Sequence, residues 1–171
     1  FAPYIAPADP SKGSMLRRLR PIGTPNYPLG ADELGRDMLS RLIYGARLSL
    51  VMGVTPVPIA FAIGAALGIV AGFAGGIVNT LIMRTIDVFY AFPSVLLAVA
   101  LSGALGAGLG NALVSLTLVF IPPIARVAES VTTQVRGLDY IDAARASGAG
   151  ALTIIRVHVL GNVLGPIFVY A

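Results

Sequence analysis

The side chains able to do chemistry are few, and their spacing excludes most of it. His158 is the single histidine, Lys12 the single lysine, and there is no cysteine. A phosphate-binding loop ends in lysine followed directly by serine or threonine. Lys12 stands in "SKGS", and the glycine-rich "GALGAGLGN" carries no lysine at all. No carboxylate cluster has metal-ligand spacing. The chain is therefore expected not to be an enzyme and to hold no cofactor or metal. His158, two residues from Arg156, is assigned a structural role over that of a proton relay. What remains is charge placed for pairing and docking. Arg84 and Asp87, three apart on one helix face, are expected to pair. Asp139, Asp142 and Arg145 lie in or beside "YIDAARASGAGALTIIRVHVLGN" (140–162).

The elements that carry these residues belong to a membrane protein. Charged residues make up 12% of the 171, about half of the roughly 25% usual in soluble domains, and the mean hydropathy is +0.85. No charge falls between Arg47 and Arg84, nor between Asp87 and Arg126. Each gap exceeds the ~20 apolar residues that cross a bilayer. A net charge of +4 gives no reason to expect nucleic acid, since arginines here suit loops and the lipid interface.

Residues 8–47 are polar and broken by proline and glycine. From Asp32 the pattern turns helical, with Met38, Leu42 and Ile43 on one face, as in an interfacial helix. A first span is expected from about Leu48 to Phe73, kinked by Pro56 and Pro58, a second from about Val88 to Leu105, and a third from about Ala112 to Ala125, ending near Pro122 and Pro123. "GALGAGLGN" makes a short hairpin outside the bilayer. Residues 126–156 form a charged segment before a further apolar run. Gly64, Gly68, Gly72 and Gly76 repeat at a spacing of four, a ridge that lets another helix backbone come close. Charge does not orient the chain: seven basic residues in 8–47 stand against five in Arg84 and 126–158, too close for the positive-inside rule to decide. Starting at Phe1 and stopping in an apolar run, the sequence reads as a fragment of a longer polytopic protein.

The segment 140–162 reads as a short capped helix on a loop. Asp139 is the expected N-cap, with Asp142 three residues on in an aspartate version of the capping box. Gly148 is expected to end the helix in a left-handed conformation. Ile141, Ala144, Gly148, Leu152, Ile155 and Val159 form an expected apolar seam. Such a helix is suited to pressing against another protein.

"DAARASG", nine residues and then "HVLGN" resembles the EAA loop of bacterial ABC importer permeases, EAA-x3-G-x9-I-x-L-P. Asp142, Ala143, Ala144, Gly148 and Leu160 fall on its positions; Asp142 stands for Glu, His158 for Ile and Gly161 for Pro. "LGADELGRDMLSRLIYGARLSL" and "MRTIDVFYAFPS" resemble the C-type subunit of the dipeptide/oligopeptide/nickel branch, where histidine at the Ile position is usual; Ala31 departs from that branch's threonine. The resemblance implies an all-α polytopic bundle with the type I importer permease fold, six spans and cytoplasmic termini. Here the first span, and everything after the start of the fifth, would be missing. Residues 1–47 would be an extracytoplasmic segment with the interfacial helix, and 48–171 a permease domain with a cytoplasmic EAA loop at about 126–160. It implies ATPase subunits that dock the loop's short helix, a second permease subunit, an extracytoplasmic solute-binding protein, and a bacterial or archaeal inner membrane. From the residues alone, an ion-gradient-driven secondary transporter or channel is the rival reading, although no ionisable group lies mid-span in the expected spans. A non-transporting scaffold would leave the capped helix unexplained.

Overall fold

The computed structural model describes residues 2–171, and among these there are helices and no strand. Two compact units divide after Val54.

In the first unit, α1 (Ala2–Ile5) leads into a long loop with one 3-10 turn, Met15–Arg17, followed by α2 (Met38–Val54). The loop is braced rather than loose. Its bridges pair Thr24 with Tyr27 and Ala31 with Asp37. Helix α2 begins at Met38 and not at Asp32, because Asp37 caps it. The buried Asp37 carboxylate accepts the Ser40 amide at 2.7 Å, which satisfies one of the first-turn N–H groups that have no helical partner. Met38 and Leu42 are exposed, and Ile43 is half-buried.

In the second unit, α3 (Pro56–Ala74), α4 (Gly76–Tyr90), α5 (Ser94–Leu105) and α6 (Leu109–Arg136) are followed by α7 (Asp139–Ala146), α8 (Ala151–Ile154), a π turn (Ile155–Val159) and α9 (Leu160–Tyr170). Helix α3 starts at Pro56 because proline at a first helical position loses no hydrogen bond. The prolines expected to kink a single helix instead open a new one. Helices α3 and α6 form the centre, with α4, α5 and α9 against α6. Buried alanines and isoleucines dominate the core: Ala60, Ala65 and Ile69 from α3, Ile124, Ala125 and Ala128 from α6.

Three stretches are long and apolar enough to cross a bilayer: Met38–Ala74, Leu109–Arg136 and Ala151–Tyr170. Two of the spans differ from expectation. The third span does not end at Pro122 and Pro123. Helix α6 runs on to Arg136, although the two prolines offer no N–H to the Leu118 and Val119 carbonyls. The second span is not one helix, since α4 and α5 meet at 89°. Pro93 drives Phe92 away from helical backbone, and the 12 residues of α5 reach only about 18 Å.

Candidate functional site

The loop after α6 turns at Gly137, and Leu138 enters α7 in extended conformation. Leu138, not Asp139, is the N-cap, and no side chain caps the helix. Asp139 and Asp142 lie in the first turn, where carboxylates favour the positive end of the helix dipole. Asp142 pairs with Arg145 at 2.9 Å rather than reaching back. The C-terminus closes as the sequence requires. Gly148 has φ +85°, its N–H reaches the Arg145 carbonyl at 2.9 Å, and the Ala149 N–H reaches that of Ala144 at 3.0 Å. This is the paired Schellman closure, which depends on a left-handed residue.

Three grips hold α7. Ile141 is fully buried in the core. The Tyr140 ring lies 6.0 Å from that of His158, and the Asn162 amide donates to the Tyr140 hydroxyl at 3.2 Å and to the His158 carbonyl at 2.6 Å. The Arg145 guanidinium stands 5.9 Å from the centre of the Phe73 ring, within cation–π range. Asp142 and Ala143 remain exposed, and Ala144 and Leu160 are half-buried. The expected seam fails at Leu152, which is 60% exposed while Ile154 is buried. The cause is the non-helical Ser147–Gly150 break, which carries no helical phase across.

The glycine ridge meets α6 residue for residue. A Cβ on Gly64 would stand 2.9 Å from the Ile121 carbonyl oxygen, and one on Gly72 2.7 Å from that of Glu129. On Gly68 it would press still closer on the Ala125 carbonyl. Both series advance by four in the same direction, so the helices run parallel with interlocked ridges. Gly76 does not belong to this ridge. It lies beyond the end of α3, has φ +52°, and a Cβ there would meet nothing within 4 Å.

Sequence reasoning missed the polar joint below the ridge. Asn79 donates to Glu129 at 2.6 Å and to the Ala71 carbonyl at 3.3 Å. Arg136 donates to the carbonyls of Gly72 and Phe73, both at 3.2 Å, closing the end of α3. Carrying α6 through its prolines would have put Glu129 in register with Ile121 and Ala125; nothing in the sequence marked Asn79. Asp87 also finds a different partner from the one expected: it pairs with Arg126 on α6 and not with Arg84.

Residues 64–171 match the family described as binding-protein-dependent transport system inner membrane component. The chain belongs to this family. Its matched part opens on the first ridge glycine and includes α7. A di/tripeptide transport system permease protein of Pseudomonas aeruginosa is 43% identical over all of this chain and 58% of its own length. A probable D,D-dipeptide transport system permease protein of Escherichia coli is 37% identical over all of this chain and 57% of its own. A glutathione transport system permease protein of Pectobacterium atrosepticum is 36% identical over 99% and 56%. The chain thus spans under three fifths of the curated relatives it matches. With its apolar helices, this membership makes it a helical membrane protein.

Proposed function

We propose that the chain is the membrane-spanning permease part of an ATP-driven importer. It would form part of the path for peptides or a related small solute, nickel included, delivered by an extracytoplasmic binding protein. Separate ATPase subunits would hydrolyse ATP, and a second permease subunit would complete the path. On this reading the protein is multi-pass, with residues 1–47 extracytoplasmic and the loop at about 126–160 cytoplasmic.

One observation carries the reading: α7 is gripped by the core through Ile141 while Asp142 and Ala143 face outward. A helix so held can transmit a push. Asp142, Ala143 and Ala144 would form the docking face, Gly148 would fix its closure, and Leu160 would seat the following helix. Movement of α7 would reach α3 through Arg145 and Phe73, and α6 through the short Gly137–Leu138 turn. The ridge glycines Gly64, Gly68 and Gly72 would let α3 and α6 respond as one body. Nothing in the comparisons favours an ion-gradient-driven carrier.

The test is ATPase activity of the reconstituted full-length complex, stimulated by loaded binding protein. Ala144→Trp obstructs the docking face, and Gly148→Val puts a branched Cβ at positive φ, costing about 1–2 kcal/mol. Both are expected to abolish stimulation while the permease stays in the membrane. Asp142→Glu and Gly148→Asn, which tolerate the same backbone, are expected to keep it. Stimulation that survives both bulky changes would remove α7 from the transmission path.

A further inference from the structure

Residues 15–22 read "MLRRLRPI", and between Asp9 and Asp32 the chain carries Lys12, Arg17, Arg18 and Arg20 with no acidic residue. Four apolar side chains in this stretch stand out of the fold: Met15 is 72% exposed, Leu16 92%, Leu19 62% and Ile22 77%. Isolated exposed apolar residues need no explanation, but these alternate with arginines on a rigid support. The Leu19 N–H donates to the Asp32 carbonyl and the Ala31 N–H to that of Arg20, both at 3.1 Å. Leu19 itself has φ +53°, a conformation that costs a residue with a Cβ about 1 kcal/mol or more. The loop therefore holds a strained leucine away from its own core.

We propose that Met15–Ile22 is an interfacial wedge. Its apolar side chains enter the acyl boundary of the bilayer, and Arg18 and Arg20 meet the phosphates of anionic lipid headgroups. Two features select lipid as the occupant. The charge is basic without interruption, complementary to an anionic surface, and interleaved with apolar residues as in membrane-surface segments. The same unit also continues into the bilayer: the Ala8 N–H donates to Ser40 Oγ at 3.0 Å, on the first turn of α2. Leu42, Leu48, Leu50, Val51 and Val54 of that helix stay exposed. Arg17 is engaged by the Tyr27 hydroxyl at 2.8 Å, whereas Arg18 and Arg20 make no ion pair among the described residues. The inference rests on membrane insertion and is independent of the solute carried.

The test uses the full-length permease in its assembled complex, cleared of other cysteines. Leu16→Cys carries an environment-sensitive fluorophore, with Ser11→Cys as an aqueous reference. Vesicles contain phosphatidylcholine alone or with phosphatidylglycerol. The Leu16 probe is expected to be blue-shifted, quenched by nitroxide-labelled lipid and protected from iodide, more so with phosphatidylglycerol. Arg18→Gln and Arg20→Gln should each reduce the phosphatidylglycerol-dependent insertion equilibrium roughly fivefold. Iodide quenching in both lipids overturns the wedge. A probe protected from both quenchers overturns it too, because it marks burial against protein. If Leu16→Cys prevents assembly, the same reading is taken from Ile22→Cys.

Discussion

Asp32 accepts hydrogen bonds from the amides of Leu34 and Arg36, both at 2.9 Å, and from the Arg36 guanidinium at 2.8 Å, and it also pairs with Arg41. The Arg36 amide is the largest influence; against the opposing effect of burial, it and the Arg36 guanidinium and Leu34 amide bring the carboxyl from its ordinary 3.8 to about 2. The folded loop prefers the charged form. Its contribution is present in full above about pH 4 and is lost as pH falls through about 2. Spin labels on cysteines at Ser11 and Glu33 are expected to show a narrow distance distribution at neutral pH that broadens across that window. In Asp32→Asn the distribution should be broad throughout; a distribution that ignores both acid and the substitution would show that Asp32 does not brace the loop. This brace could not be read from sequence, because "ADELGRD" resembles the start of a helix until Asp37 is seen to cap the real one. Gly148 was legible, since a left-handed helix end leaves few residue choices. Asp139 was misread: an aspartate one residue inside the helix offers the same letters as a cap.

Among the elements, the α3–α6 pair makes the sharpest demand. Gly68 faces the Ala125 carbonyl and the Ala128 side chain, so even one methyl must part the helices. Gly68→Ala is expected to destabilise the purified protein by roughly 1–3 kcal/mol and to lower recovery of assembled complex. Gly76→Ala meets no neighbour and carries only the conformational cost of about 1 kcal/mol. Thermal melting of the two variants side by side is expected to show the larger loss for Gly68→Ala; an equal or smaller loss than for Gly76→Ala would mean the ridge does not pack. The strict spacing of four made the ridge visible, and Gly76 continued it in letters only, because α3 had already ended. Helix ends at proline were the weakest reading. Pro56 starts a helix, Pro93 turns a corner, and Pro122 and Pro123 do neither, since neighbours rather than the residue decide whether freed carbonyls are tolerated.

For the whole molecule, direction matters more than number of helices. The C-terminal end of α6 meets the C-terminal end of α3, where Arg136 holds the Gly72 and Phe73 carbonyls. Two parallel neighbours require the chain between them to return to their starting end. The bent α4–α5 pair must therefore supply a full return crossing if α3 and α6 each cross. On the proposed sidedness, Ser11 and Ser147 would lie on opposite sides of the bilayer. A cysteine at Ser11 is expected to react with an impermeant maleimide on intact cells, and one at Ser147 only after permeabilisation. Labelling of both from outside would overturn the sidedness. Arginine counts could not give the direction of these helices, because they weigh loops and say nothing of which helices run together.

The π turn sets how much length the last helix can lose. Ile154, Val159, Val163 and Ile167 are all buried, with a step of five across the wide turn and steps of four after it. In an unbroken α-helix each residue advances about 100°, so a step of five would swing Val159 out of the core; the wide turn absorbs the surplus residue. The helix thus carries a spare position. Removing Val157, which is 64% exposed, should let the turn tighten to ordinary α geometry while Ile154, Val159, Val163 and Ile167 keep facing inward. Adding one alanine at the same place should rotate everything beyond it. Recovery and melting temperature of the two variants would show the asymmetry: the shortened protein is expected to persist, and the lengthened one to fail.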